Sequence, residues 1–154
     1  MDGAVFPPPK QRIAAECARP GGRPPLIAGC VALLGGRTDD VDDRLITVLG
    51  GEPAGQVLDG MAGGRSGYWP RVWAARGLLH AWEDRTTEAA ATTVAIIGAL
   101  GAAAWRVREM AAKVVARHRI GAAFDAVAPL RDDPILRVRA AAHRAVVLLT
   151  ASTA

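Results

Sequence analysis

Aromatic residues are scarce in this chain, at 5% of 154 residues, while hydrophobic residues reach 51%. Its core must therefore be built mainly from Ala, Val and Leu, whose small side chains let helices approach closely. Cysteine is limited to Cys17 and Cys30, with no Cys-x-x-Cys spacing and no histidine close to either. That argues against a zinc site, and we expect two reduced, partly buried thiols in a cytosolic protein. The three histidines, His80, His118 and His143, are not spaced as metal ligands on one helix turn. Long apolar runs are missing too. The greasiest stretch, Ala89 to Trp105, contains two Thr and two Gly and falls short of the roughly 20 residues a membrane span needs. The N-terminus carries Asp2 and a proline run rather than a basic and then apolar leader. β-Branched runs are short, so strand signals are weak. These absences predict a soluble, cytoplasmic, helical protein with no membrane association, no metal and no cofactor.

What is present is a repeat. Trp69-Pro70-Arg71-Val72-Trp73-Ala74-Ala75, Trp105-Arg106-Val107-Arg108-Glu109-Met110-Ala111 and Leu136-Arg137-Val138-Arg139-Ala140-Ala141-Ala142 align on valines 72, 107 and 138, steps of 35 and 31 residues. After the second valine the apolar stripe is Val107, Met110, Ala111, Val114, Val115. After the third it is Val138, Ala141, Ala142, Ala145, Val146. Both follow one face of an α-helix. A partner helix precedes each of the last two copies. One starts at Thr86-Thr87-Glu88 with Ala90, Val94 and Ile97 on its inner face, and the other carries Ile120, Phe124 and Val127. Gly101 breaks the chain before one repeat helix and Asp133-Pro134 before the other, the latter an N-cap followed by proline at N1. Helix-turn-helix units of this period bury their faces by stacking on one another.

The unit resembles a HEAT repeat and is especially similar to the short HEAT-like repeats of bacterial proteins. The pattern is an Asp near the turn, Val-Arg, small residues, then aliphatics. Asp133, Val138-Arg139, Ala141-Ala142 and Val146-Val147 match it best. The second copy has Val107-Arg108 but lacks the turn Asp, and the first has Val72-Trp73 and lacks the Arg. The resemblance covers about half of the chain. It implies an all-α fold, a right-handed helical solenoid of HEAT-like helix-turn-helix repeats. It also implies that Asp133 and Arg139 tie neighbouring repeats together. For function it implies little.

Residues 1–9 read as a flexible arm, because Phe6-Pro7-Pro8-Pro9 resists helix formation. Residues 10–154 read as a single HEAT-like domain, with 10–64 an atypical N-terminal cap and 65–154 the clearer repeats. Within the cap we expect a short helix from Lys10 to Arg19 with Ile13, Ala14 and Cys17 on one side, and a loop through Pro20–Pro25. A buried helix should follow over Leu26–Leu34, then a helix capped by Asp40 and running to Leu49, and a last one over Pro53–Met61. Asp39-Asp40-Val41-Asp42-Asp43 has the Asp-Asp-x-x-Asp spacing with which prenyl-diphosphate enzymes hold magnesium. Without a second acidic helix it reads as an acidic helix start. The glycines of residues 62–67 form no phosphate loop, since Gly-Lys-Ser/Thr is missing.

The net charge of +4 and isoelectric point near 9.8 permit anionic partners. Arg71, Arg106 and Arg137 each precede a repeat valine, and Lys113 and Arg144 follow Arg106 and Arg137 by seven residues. Seven residues returns to nearly the same side of a helix. In HEAT-like proteins the second helix of each unit often lines the concave, partner-binding surface, so the resemblance implies a basic ridge there, interrupted by Glu109. Trp73 replaces the repeat Arg and is expected to be partly exposed beside Arg71, Arg76 and His80, able to anchor a partner or stack on a base. His80 itself falls on a core-facing register. With no catalytic constellation in view, the sequence favours a non-catalytic scaffold or adaptor that binds a protein through Arg71, Trp73, Arg106, Lys113, Arg137 and Arg144. Nucleic-acid binding by the same ridge is the alternative. Its far end is a glycosylase-like activity, after one alkylpurine glycosylase family of HEAT-like repeats, with Asp125 and Asp84 as its only acidic candidates. A bilin-lyase type of activity, also found on short HEAT-like repeats, has no support beyond the repeat.

Overall fold

The computed structural model describes residues 5–83 and 89–151. Among them every regular element is helical: α1 (Pro9–Ala18), α2 (Arg23–Leu34), α3 (Asp43–Gly50), α4 (Pro53–Leu58), α5 (Trp69–Ala81), α6 (Ala89–Leu100), α7 (Trp105–His118), α8 (Phe124–Val127) and α9 (Leu136–Ala151), with short 3₁₀ turns between several of them. The all-α expectation holds for these residues. No helix among them is long and apolar enough to cross a membrane. The chain divides into two compact units, residues 1–81 and 82–154.

In the N-terminal unit α5 is the central helix, packed against α1, α2 and α3. It is buried nearly all round, through Pro70, Val72, Trp73, Ala74, Ala75, Gly77, Leu78 and Ala81. That is why the one-faced stripe expected for this copy fails. His80, placed in the core by register, is exposed, and Trp73, expected to be partly exposed, is only 4% accessible. The close approach rests on glycines. A Cβ at Gly50 would lie 2.5 Å from the Trp73 ring, and one at Gly77 would lie 2.7 Å from Cys30 Sγ. Ile13, Leu26, Ile27, Leu33, Ile46, Leu49 and Leu78 complete this core. Cys17 and Cys30 are both free thiols, and burial pushes the Cys30 thiol far above its ordinary range.

Several boundaries differ from the sequence reading. α2 begins at Arg23, so Pro24 and Pro25 lie in its first turn, where a missing N–H costs nothing. The cap of α3 is Asp42 rather than Asp40: its carboxylate accepts from Leu45 N at 2.8 Å, while Asp40 ends a 3₁₀ turn. On α1 Glu16 is buried where Ala14 was expected. Of the residues read as an arm, Phe6 lies under the Arg12 guanidinium at 5.7 Å and the Pro7 carbonyl accepts from Arg12.

In the C-terminal unit α7 packs against α6 and α9, and the α8 segment packs on α6 and α9. The stripes predicted for these copies are inside: Val107, Ala111, Val114 and Val115 are buried on α7, with Met110 half-buried, and Val138, Ala141, Ala142, Ala145 and Val146 on α9. The faces of the partner helices are not as expected. α6 buries Thr92, Ile96, Ala99 and Leu100 and exposes Val94. Its composition is apolar on every side, so hydrophobicity does not mark a face. Its expected start, residues 86–88, lies outside the described residues. The partner helix of the third copy shrinks to α8 between 3₁₀ turns, burying Ile120 and Val127 while Phe124 stays 36% exposed.

Gly50→Ala should lower stability by about 1–3 kcal/mol in urea denaturation, because the added methyl overpacks against Trp73. Gly55→Ala in α4 meets nothing within 4 Å and should be neutral or stabilising by about 0.5–1 kcal/mol. Equal effects at the two sites would refute the close-packing account.

Candidate functional site

α7 and α9 are twins in both sequence and geometry. Arg108 donates through Nη1 to the carbonyls of Ala102 and Ala103 at 2.9 and 2.8 Å. Arg139, in the same register of the next copy, donates through Nη1 to the carbonyls of Asp133 and Pro134 at 2.8 and 3.2 Å. Each arginine thus closes the turn that leads into its own helix. Arg108 has a further bond. Its Nε and Nη2 meet the two oxygens of Asp133 at 2.8 and 3.1 Å, a bidentate pair that is largely buried on both sides. Asp133 also accepts from Ile135 N at 2.9 Å; since α9 begins at Leu136, Asp133 and Pro134 lie in the turn ahead of it rather than at its expected N-cap and N1. The resemblance assigned the tie between copies to Asp133 and Arg139. The carboxylate is instead held by Arg108 of the preceding copy, and Arg139 holds only the Asp133 main-chain carbonyl.

The basic stripe of this unit is organised by an acid. Glu109, read in the sequence as an interruption, is buried, and its Oε1 accepts from Lys113 Nζ at 2.9 Å and from Arg137 Nε at 3.1 Å. A carboxylate at such a position needs cationic partners to offset its desolvation. Arg106 and Arg137 lie over the Trp105 indole at 4.4 and 5.7 Å from its centroid, which orders both guanidinium planes. Arg144, farther along α9, is exposed. The structure therefore brings Arg106, Lys113 and Arg137 together around Trp105 and Glu109, with Arg144 exposed on the same helix as Arg137.

Arg71 and Trp73 belong to the other compact unit. The Trp73 ring is stacked on Trp69 at 6.5 Å and seated against Gly50. Being buried, it cannot offer the open face that partner binding requires. Arg71 is half-buried, and its Nε finds no hydrogen-bond partner. Beside these residues is a cavity of about 430 Å³ lined by Val57, Met61, Trp69, Trp73 and Arg76. A shallower groove of about 940 Å³ runs past Phe6, Arg12, Glu16, Arg44 and Val48. Glu16 at its edge is paired with Arg19 and Arg44. Sequence periodicity hid Glu16, whose ion-pair partner Arg44 lies 28 residues away.

The remaining candidates are dispersed. Asp125 is exposed, and Asp84 lies outside the described residues. In the Asp39–Asp43 run Asp42 is a helix cap and Asp43 pairs with Arg65. His118 packs edge-on to Trp82 at 5.1 Å, and His143 is exposed. Among the described residues no group of three or more His, Cys, Asp or Glu side chains is placed to hold a metal ion. In comparisons with known proteins, no family model, no curated protein and no solved structure matches this chain.

Hydrogen bonds from Arg108 hold the Asp133 carboxyl below the usual carboxylate range, against the opposing effect of its burial, with help from the Ile135 amide and the charges of Arg108 and Arg139. A depressed folded-state pKa contributes stability above the unfolded value of about 3.9, and that contribution is lost as pH falls through the folded value. Asp133→Asn should therefore cost about 2 kcal/mol at neutral pH. The gap to the wild type should narrow below about pH 4. Urea titrations across pH read it directly, and an undiminished gap at low pH would remove the carboxylate charge as its source.

Proposed function

We propose that this chain is a non-catalytic scaffold or adaptor, built of HEAT-like repeats stacked as a right-handed solenoid, that binds a protein partner in the cytoplasm. The observation that carries this reading is the repeat equivalence of α7 and α9. Arg108 and Arg139 clasp the carbonyls six and five residues upstream in the same way, and Arg108 is stapled to Asp133 of the next copy. Modules joined copy to copy in this manner present a continuous surface, and such surfaces serve as interaction sites.

The binding face of this proposal is the stripe of Arg106, Lys113, Arg137 and Arg144 on α7 and α9. Two of its cations, Lys113 and Arg137, are engaged by Glu109. A stripe already partly engaged by a carboxylate favours a protein with a few acidic groups over a phosphate backbone, whose binding is driven by counterion release at many cations. Arg71 and Trp73 drop out of the proposed face: Trp73 is buried, and Arg71 belongs to the other unit.

The test is affinity capture from a lysate of the source cells, with and without nuclease, using the wild type and an Arg106→Glu/Arg144→Glu variant. Arg137 is left intact because a glutamate there would face buried Glu109. A discrete protein should survive nuclease and be lost with the variant, whose circular dichroism should match the wild type. Retention of that protein by the variant would overturn the face. Recovery of nucleic acid alone, released by moderate salt, would replace the protein partner with a polyanion.

A further inference from the structure

α7 shows how one repeat helix is covered by the next, and α9 carries the same face uncovered. On α7, positions 105, 109, 112 and 116 share one side. Trp105 and Glu109 are met by Arg137 of α9, and Ala112 and Ala116 are buried at 0% and 5% exposure. Their counterparts on α9 are Leu136, Ala140, His143 and Val147. All four are exposed, Leu136 at 69% and Val147 at 63%. Beside the covered face of α7 stands Arg108, whose Nε–Nη2 edge takes the Asp133 carboxylate. Beside the open face of α9 stands Arg139. Its Nη1 is anchored on the Asp133 and Pro134 carbonyls, and among the described residues no carboxylate pairs with its Nε–Nη2 edge.

From this we infer that the Leu136–Ala140–His143–Val147 face of α9 docks a helix of a partner protein, led in by an aspartate whose carboxylate takes the Nε–Nη2 edge of Arg139. The chemistry of the occupant is read from the α7 template: an aspartate in the turn ahead of a helix, then a helix presenting small and aliphatic residues. Charge points the same way. α9 carries Arg137, Arg139, His143 and Arg144 and not one acidic residue. A second copy docking α9 against α9 would set these cations against each other and leave Arg139 without a carboxylate, so a different protein is the occupant. The inference rests on the proposed role only for the partner's being a protein, and its surface is separate from the Arg106 position.

The probe is a fluorescein-labelled peptide of residues 131–151 carrying Arg137→Ala, Arg139→Ala, His143→Ala and Arg144→Ala, which keeps Asp133 and a helix of small and aliphatic residues but removes the cations that set α9 against itself, read by fluorescence anisotropy against the full chain. Saturable binding below about 1 mM is expected, weakened about tenfold by Asp133→Asn in the peptide. The same weakening is expected from Arg139→Gln in the chain. Val147→Glu, at an exposed position that leaves the fold intact by circular dichroism, should abolish binding. It also separates docking on α9 from exchange of the peptide with the chain's own α9, which would not sense Val147. Binding that ignores both Asp133→Asn and Val147→Glu, or no saturation by about 1 mM, overturns the inference. So does a dimer of the chain alone, seen in sedimentation and lost with Val147→Glu, which would place a second copy on this face. Arg106→Glu should leave peptide affinity unchanged, so failure of the basic stripe in lysate capture and failure of this face give different results.

Discussion

The C-terminal unit depends on what a single planar guanidinium can hold at once. Arg108 presents Nη1 to two main-chain carbonyls and its Nε–Nη2 edge to both oxygens of Asp133. Those carbonyls, Ala102 and Ala103, belong to the turn between α6 and α7, where helix ends leave acceptors unpaired. Asp133 in turn holds Ile135 N in the turn that leads into α9. One side chain thus fixes the turn before its own helix and the start of the next. A lysine there has neither the fork nor enough donors in fixed directions.

The N-terminal unit solves the same problem from the other end of a helix. The carbonyls that close α3 receive Arg12, through Nε to Val48 at 2.8 Å and Nη2 to Leu49 at 3.3 Å, and Arg76, through Nη2 to Leu49 at 2.9 Å. Gly51, with φ near +73°, turns the chain away where any Cβ would strike the Arg12 guanidinium. Arg76 lies on α5 and Arg12 on α1, so the end of α3 is gripped by two of the helices it packs against. Burial lowers the pKa of both guanidiniums, and for Arg76 the neighbouring charge of Arg12 adds to it.

How much of this was legible follows from how one-sided each helix is. The stripes of α7 and α9 were read correctly because each helix leaves a polar side exposed, so apolar spacing marks the inside. In α5 burial extends round most of the helix, and spacing misplaced both Trp73 and His80. In α6 there is no polar side to contrast with. The Asp–Arg tie was visible as residue types but assigned to the wrong arginine, since local sequence does not say whether an acid bonds within its own copy or back to the previous one. Glu109 was legible only as a defect, because one of its partners, Arg137, lies 28 residues on, although Lys113 stands one turn away. Helix periodicity placed the buried stripes of α7 and α9, but it carried no information on which copies touch.

The basic composition acquires a different meaning once its arginines are located. Arg12, Arg65, Arg76, Arg108, Arg131 and Arg139 all donate to main-chain carbonyls. Arg19, Arg44, Arg65, Arg108 and Arg137 are paired with carboxylates. A chain with no Asn and two Ser, and short of aromatics for its core, uses arginine widely to close its turns, and an isoelectric point near 9.8 accompanies that use. High pI is ordinarily a pointer to nucleic acid or anionic surfaces, but here most of the charge already has work inside the fold. On α7 and α9 even the stripe of cations is partly engaged, since Lys113 and Arg137 meet the buried Glu109, so the basic composition reflects how the fold closes its turns as much as what its surface offers.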